Sequence, residues 1–319
     1  MQNLNDQLGR EIDYLRISIT DRCNLRCRYC MPAEGVESKN HQEILSYEEI
    51  LKIVETGMEM GIKKVRITGG EPLVRLGVED FISHLKKLEL EDISMTSNAV
   101  LLAGKAKKLK EAGLQRINIS LDTLDPEKFK EISRRDNLTE VLKGISAALN
   151  VGLDPVKLNV VIMKGINDDE LFDFVELSRR KKLSVRFIEY MPLGGEAEAE
   201  KFISSSEIKH LIRARFDLLP AVSIGNGPAN YFKLQGAEGT IGFISAMSEH
   251  FCSSCNRLRL TADGKFKPCL AANQEIKITG MSKKDIKTAY KKALKLKPVC
   301  HNLNFENQNY SRNMSQIGG

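Results

Sequence analysis

The stretch Asp21-Arg22-Cys23-Asn24-Leu25-Arg26-Cys27-Arg28-Tyr29-Cys30-Met31-Pro32 follows directly on Tyr14-Leu15-Arg16-Ile17-Ser18-Ile19-Thr20. The upstream segment alternates apolar and polar residues and reads as a first β-strand. The downstream one carries three cysteines, Cys23, Cys27 and Cys30, spaced C-x3-C-x2-C. Three thiolates can hold three irons of a cubane [4Fe–4S] cluster, which usually has four protein ligands. One iron is then open to bind and activate a small molecule. A zinc loop is the bland alternative, but zinc prefers four ligands in paired C-x2-C units, and no fourth Cys or His lies nearby.

Beyond this loop, strand-like and helix-like stretches alternate up to about residue 190. The strands are expected at Tyr14–Thr20, Lys64–Thr68, Asp92–Thr96, Arg116–Leu121, Val156–Ile162 and Ser184–Glu189. Helical patterns fall at Tyr47–Met60, Val78–Leu88, Ala103–Ala112, Pro126–Ser133, Thr139–Asn150 and Asp168–Lys181. Six βα units in series predict a parallel sheet with right-handed crossovers, three quarters of a TIM barrel. After Met191 the alternation ends. Ser204–Arg215 reads as a helix and Tyr231–Leu234 and Thr240–Ile244 as short strands, so a barrel over 1–191 is expected to carry a smaller C-terminal region over 192–319.

The strand faces carry a second message. Leu15, Ile17 and Ile19 share one face and Arg16, Ser18 and Thr20 the other. Ile117, Ile119 and Leu121 oppose Asn118, Ser120 and Asp122 in the same way, and Val65 and Ile67 oppose Arg66 and Thr68. Strands covered on both sides should instead read as near-continuous apolar runs. The apolar faces are satisfied by outer helices, so the polar faces look inward, where α/β barrels bind ligands. An open sheet with one wet face is the alternative. Recurrent cations at matching depth (Arg16, Arg66, Lys157) favour an interior built for an anion.

Composition sets outer bounds. The 319-residue chain is 42% hydrophobic and 28% charged, with a net charge of +6, ordinary for a soluble globular protein. No apolar run approaches the ~18–20 residues of a membrane span. The first residues lack a cationic, apolar signal pattern, so a cytoplasmic protein is expected. Seven cysteines in two close groups plus one favour metal ligation in a reducing compartment over disulfides. The basic run from Lys277 to Lys297 reads as a solvated amphipathic helix. Nucleic-acid binding is the weaker reading, because no aromatic-interleaved basic strand accompanies it.

Two further motifs bear on chemistry. Thr68-Gly69-Gly70-Glu71-Pro72 ends the second strand; its glycines let backbone approach a ligand closely. Phe251-Cys252-Ser253-Ser254-Cys255-Asn256-Arg257-Leu258-Arg259-Leu260, followed by Cys269, gives C-x2-C-x13-C, again three ligands. A zinc ribbon competes here, since C-x2-C pairs suit zinc. Cys300 lies 31 residues beyond Cys269 in an irregular stretch and is expected to stay unligated. In an extended segment Arg257 and Arg259 point the same way, a fork for phosphate oxygens if fixed beside a cluster. Five cations, Arg16, Arg66, Lys157, Arg257 and Arg259, would suit a triphosphate.

The C-x3-C-x2-C loop after strand one, with Gly-Gly-Glu-Pro after strand two, resembles the radical S-adenosylmethionine (radical SAM) superfamily. That resemblance implies a cluster whose open iron chelates S-adenosylmethionine and cleaves it reductively to a 5′-deoxyadenosyl radical. It places Tyr29 near the adenine, Gly70 at the amino group, and Ser120 and Met191 as further cofactor contacts. Two three-cysteine sets, the CNRLRL segment and the ending Gly318-Gly319 resemble, more closely, the molybdenum-cofactor biosynthesis protein A family, whose members are GTP 3′,8-cyclases. So do Cys30-Met31-Pro32, Arg66–Leu73, Ile119–Asp122, Val160–Asn167 and Arg186–Met191. This implies two [4Fe–4S] clusters and a radical lyase taking hydrogen from C3′ of GTP and joining C3′ to C8. Arg16, Arg66, Thr96, Lys157, Arg257, Leu258 and Arg259 are then expected to bind GTP. Cys252, Cys255 and Cys269 would ligate the second cluster, and the Gly-Gly tail would reach toward the site. Expected partners are an electron-donor protein and a downstream cyclic pyranopterin monophosphate synthase, with room for a homodimer and with neither nucleic acid nor membrane. Two departures stand out: Thr96-Ser97-Asn98-Ala99 replaces the family's Thr-Thr-Asn-Gly, and the segment after Ile278 matches poorly. The enzyme alternative is a radical SAM peptide maturase with an auxiliary cluster, which usually carries more cysteines. The alternative from another class is a non-enzymatic iron–sulfur or zinc regulator, which leaves the inward cations unexplained.

Overall fold

The computed structural model describes residues 4–37, 39–193, 197–222, 227–306 and 310–318. Six strands, β1 (Tyr14–Ser18), β2 (Lys64–Thr68), β3 (Asp92–Ser97), β4 (Arg116–Ser120), β5 (Val156–Ile162) and β6 (Ser184–Glu189), pair in parallel in chain order. The helices between them are α1 (Tyr47–Met58), α2 (Val78–Lys86), α3 (Ala106–Ala112), α4 (Pro126–Ser133), α5 (Leu138–Asn150) and α6 (Leu171–Arg180). This is the expected (βα)6 partial barrel.

Local chemistry starts each helix where the sequence allows it. Ser46 accepts from the Glu49 amide at 3.2 Å while Glu49 reaches back to the Ser46 amide at 2.8 Å, a reciprocal cap for α1. Asp125 caps α4 by accepting from the Lys128 amide at 2.9 Å, with Pro126 at the first helical position. Leu15, Ile17, Val65, Ile67, Ile117 and Ile119 are fully buried beneath these helices. Each such side chain contributes about 1.5–3 kcal/mol by leaving water, so the outward register of every strand is strongly fixed.

The chain after β6 extends the same sheet at both edges. After α7 (Ser205–Arg213), the strands β7 (Leu219–Pro220), β8 (Asn230–Lys233) and β9 (Thr240–Ile244) form a meander whose last strand runs parallel to β6. The chain then crosses to the opposite edge. There β10 (Arg257–Leu260) pairs in parallel with β1, and β11 (Lys265–Lys267) and β12 (Ile276–Lys277) follow antiparallel. The described order is β12-β11-β10-β1-β2-β3-β4-β5-β6-β9-β8-β7. Of the C-terminal strands, sequence periodicity picked out only β8 and β9; β7, β11 and β12 are two or three residues long, too short to show a period.

The basic run forms α8 (Lys283–Lys295), followed by the short α9 (Met314–Ile317). Ile286, Ala289, Tyr290, Ala293 and Leu294 are its buried face. The Tyr290 hydroxyl donates to the Ile53 carbonyl of α1 at 3.1 Å, and its ring centroid lies 4.3 Å from that of Phe266 in β11. Helix α8 is therefore a staple joining α1 to the added strands. Replacing Tyr290 by Ala should cost about 3–5 kcal/mol in urea unfolding, and by Phe about 1 kcal/mol; a silent Ala variant would refute the staple.

Candidate active site

The cysteine loop is fastened to the turn after β2 by backbone. Gly70 N–H donates to the Thr20 carbonyl and Glu71 N–H to the Arg22 carbonyl, both at 2.8 Å. A Cβ on Gly70 would lie 2.4 Å from the Arg22 carbonyl oxygen, so no larger residue fits without moving the loop. The Glu71 carboxylate, buried, accepts from the Leu73 amide (3.0 Å), the Ser97 hydroxyl (2.8 Å) and the Asn98 amide (2.6 Å). Burial pushes it up to about 7 against those three donors. The Asn98 side chain in turn donates to Asn24 Oδ1 at 2.8 Å and faces Cys23 Sγ at 3.8 Å. On the other flank, Arg26 and Arg28 amides donate to the Ser133 and Ile132 carbonyls at the end of α4. The loop is held from two sides.

Burial raises the three thiols, Cys23 to about 11 and Cys30 to about 12. The Tyr29 hydroxyl donates to Asp122 Oδ2 at 2.7 Å, and Asp122 Oδ1 accepts from the Val161 amide at 2.8 Å. Burial lifts that carboxyl to about 6.

Parallel pairing then lines up cations. Across β10, β1 and β2 the register sets Arg259 beside Arg16 and Arg16 beside Arg66, and Arg257 beside Tyr14. Arg186 of β6, paired with Asn159, donates to Asn118 Oδ1 at 2.9 Å and to Asn159 Oδ1. Arg259 Nη1 donates to the Gly318 carbonyl at 2.6 Å, and Arg16 Nη2 reaches the same oxygen at 3.4 Å. Burial, then the neighbouring guanidinium groups Arg259 and Arg66, holds Arg16 well below the usual arginine range. Burial and Arg257 bring Arg259 down to about 10. A buried layer of like charge is an environment that favours an anion.

The second cysteine set faces the first. Burial raises the Cys255 thiol, but Arg257 and Lys297 outweigh it and bring it to about 6. Lys297 Nζ donates to Cys255 Sγ at 3.4 Å and to the Arg257 carbonyl at 2.7 Å. Cys23, Cys27, Cys30, Cys252, Cys255 and Cys269 all line one cavity of ≈ 300 Å³, together with Arg16, Arg66, Arg186, Arg257 and Arg259. Neither three-cysteine set brings its sulfurs within 4.8 Å of one another among the described residues.

Residues 17–178 match the Radical SAM superfamily and residues 183–303 match Molybdenum Cofactor Synthesis C. The chain is 54% identical to the GTP 3′,8-cyclase of Petrotoga mobilis, covering 98% of this chain and 99% of that one. It is 51% identical to that of Thermodesulfovibrio yellowstonii, over 99% of this chain and all of the other. The chain belongs to the GTP 3′,8-cyclase family. Fold likeness extends to Streptococcus suis SuiB, at 17% identity with a TM-score of 0.62 over 89% of this chain and 67% of the other. Native anSMEcpe with bound AdoMet gives 16% identity and a TM-score of 0.57, over 90% of this chain and 81% of that one.

Most site residues expected from this family's motifs meet in the one cavity: Tyr29, Gly70, Thr96, Ser120 and Met191 line it with the cysteines and arginines. Two do not reach its wall. Leu258 alternates to the other face of β10, pairs with Leu15 and is fully buried in the outer core; its neighbours Arg257 and Arg259, not its side chain, line the cavity. Lys157 lies deeper, with its ammonium 5.4 Å from the Tyr231 ring centroid. Arg186 was missed. Its signal was present, since it holds an inward position on β6 as Arg66 does on β2 and opens the Arg186–Met191 segment that resembles the family. Gly318, whose Cβ would meet Thr68 at 2.5 Å, brings the tail into the barrel as far as the description extends. Gly319 lies outside the described residues.

Arg186→Ala should weaken GTP binding ~10–100-fold by equilibrium dialysis, the loss of one charged hydrogen-bonding partner, and unaltered affinity would remove Arg186 from the site. Burial, Arg186, Arg116 and Arg66 push the Lys157 ammonium down to about 6. A bound polyanion favours its charged form, so GTP binding at about pH 8 should take up a proton, whereas at about pH 5 the lysine is already charged and uptake should vanish. Calorimetry in buffers of different ionisation enthalpy reads this, and Lys157→Met should abolish it.

Proposed function

We propose that this chain converts GTP to 3′,8-cyclo-7,8-dihydro-GTP, the opening reaction of molybdenum-cofactor biosynthesis. The observation that carries the reading is the single cavity in which two three-cysteine sets face a layer of buried arginines. In this reading residues 1–191 serve radical formation and residues 192–319 serve nucleotide binding. Cys23, Cys27 and Cys30 would hold one [4Fe–4S] cluster, and Cys252, Cys255 and Cys269 the other. Held by Cys23, Cys27 and Cys30, that cluster would supply the one-electron chemistry that S-adenosylmethionine needs for radical hydrogen abstraction.

The chain's own residues bind, orient and shield. Tyr29, Gly70, Ser120 and Met191 line the cysteine-loop side, where they would cradle S-adenosylmethionine. Arg257 and Arg259 project from one strand face into the same space, suited to paired phosphate oxygens. Arg16, Arg66 and Thr96 continue that wall, and Arg186 extends it to the far strand. Burial strengthens each of these charge interactions relative to water. An electron-donor protein, a synthase consuming the cyclised nucleotide and a cytoplasmic setting belong to this proposal. No described helix is long and apolar enough to cross a membrane.

An anaerobic assay with GTP, S-adenosylmethionine and dithionite should yield 5′-deoxyadenosine and a cyclised GTP derivative together; neither product would overturn the reading. Reconstituted protein should hold about eight irons, and one or two zincs in their place would sink it. Arg257→Ala with Arg259→Ala should abolish cyclisation and leave S-adenosylmethionine cleavage measurable, with GTP affinity lost. Unchanged affinity would refute the role of that pair.

A further inference from the structure

Cys300 is remote from the other cysteines in sequence and adjacent to one of them in space. His250, Cys252 and Cys300 offer three ligand atoms that all lie within 4.8 Å of one another, the one such group among the described residues. A tetrahedral ion with metal–sulfur bonds of about 2.3 Å sets two sulfurs about 3.8 Å apart, so a slight closure would complete a mononuclear shell. A fourth donor is at hand: His301 Nε2 lies 3.2 Å from His250 Nδ1.

Two buried cations hold this arrangement in place. The Arg10 guanidinium donates to the Cys252 carbonyl at 2.7 Å, the Pro298 carbonyl at 2.8 Å and the Val299 carbonyl at 3.3 Å. Asp6 anchors Arg10 at 2.5 Å. Lys297 Nζ bonds the Arg257 and Pro268 carbonyls at 2.7 and 3.1 Å. The chain just before Cys300 is thus pinned to the segment bearing Cys252, through Arg10 at Cys252 and through Lys297 at Arg257.

We propose that His250, Cys252 and Cys300 form a site for one thiophilic divalent cation, zinc or ferrous iron, in the cluster-free protein. Two thiolates and an imidazole are the donor set such ions prefer, and binding releases the two thiol protons. The site shares Cys252 with the Cys252–Cys255–Cys269 set, so the single ion and the second cluster exclude each other. This exclusivity rests on the reading of Cys252 as a cluster ligand.

The test uses cobalt(II), a spectroscopic stand-in for zinc, on the anaerobic full chain. The substitutions Cys23→Ser, Cys27→Ser and Cys30→Ser silence the first set. One cobalt per chain should bind, with thiolate charge-transfer and tetrahedral ligand-field bands. Cys300→Ala and His250→Ala should each weaken binding at least ~10-fold, while Cys255→Ala leaves it intact. Rebuilding the second cluster should expel the cobalt. Full binding in Cys300→Ala, with loss in Cys255→Ala, would overturn the site, as would cobalt retained beside a complete cluster. Iron content of reconstituted Cys252→Ala tests the cluster reading separately: unchanged iron would remove Cys252 from the cluster and leave the cobalt result standing alone. Circular dichroism of each variant separates lost ligation from lost fold.

Discussion

Like charges held together away from water are the constraint around which this molecule is arranged. Arg16 sits between Arg66 and Arg259 in register, and burial there disfavours every one of these charges. The partners described for Arg66, Arg186 and Arg259 are neutral: Ser94, two asparagines and the Gly318 carbonyl. The Tyr14 ring lies 5.4 Å from the Arg66 guanidinium carbon and adds a cation–π attraction. Neutral acceptors position guanidinium groups without cancelling their charge. The outer apolar core must outweigh the repulsion among Arg66, Arg186 and Arg259 that these neutral partners leave in place.

That core does so through strict alternation. A one-residue slip of β1 would send Arg16 outward beneath the helices and Leu15 and Ile17 into the cavity. The same logic applies to β10, whose Leu258 joins the outer core while Arg257 and Arg259 face in. Parallel pairing of β10 with β1 is what brings a segment some 240 residues away in sequence into the same layer. Glu71 and Asn98 extend this order to the cysteine loop, so that loop geometry, strand ends and cation layer form one connected arrangement.

Much of this was legible in the residues. The six barrel strands were visible because alternation there is long and clean, and Lys64–Thr68, Val156–Ile162 and Ser184–Glu189 match residue for residue. The glycines after β2 announced a close approach, although Gly70 is tightest against the cysteine loop's own backbone. Ala99 stands where the family carries glycine and adopts a φ of 63°, a left-handed conformation that glycine takes more readily. What escaped was non-local. Arg186 opens a family-like segment but lies in no cation pair or glycine turn that would single it out, nothing in the interval before Cys300 predicts its contact with Cys252, and strands as short as β11 and β12 have no periodicity to read. Lys157 was assigned to the wall because strand parity gives a face but not a depth.

The carbonyl of Gly318 gives the cation layer one more property. Arg259 donates to that oxygen, with Arg16 close behind. An anion binding there would exchange acceptors rather than fill bare donors. The net gain is the difference between a charged and a neutral acceptor, about 1 kcal/mol for each bond exchanged. Such a site selects by charge number: a single phosphate recovers little over the resident oxygen, whereas a chain of phosphates gains at every arginine it spans.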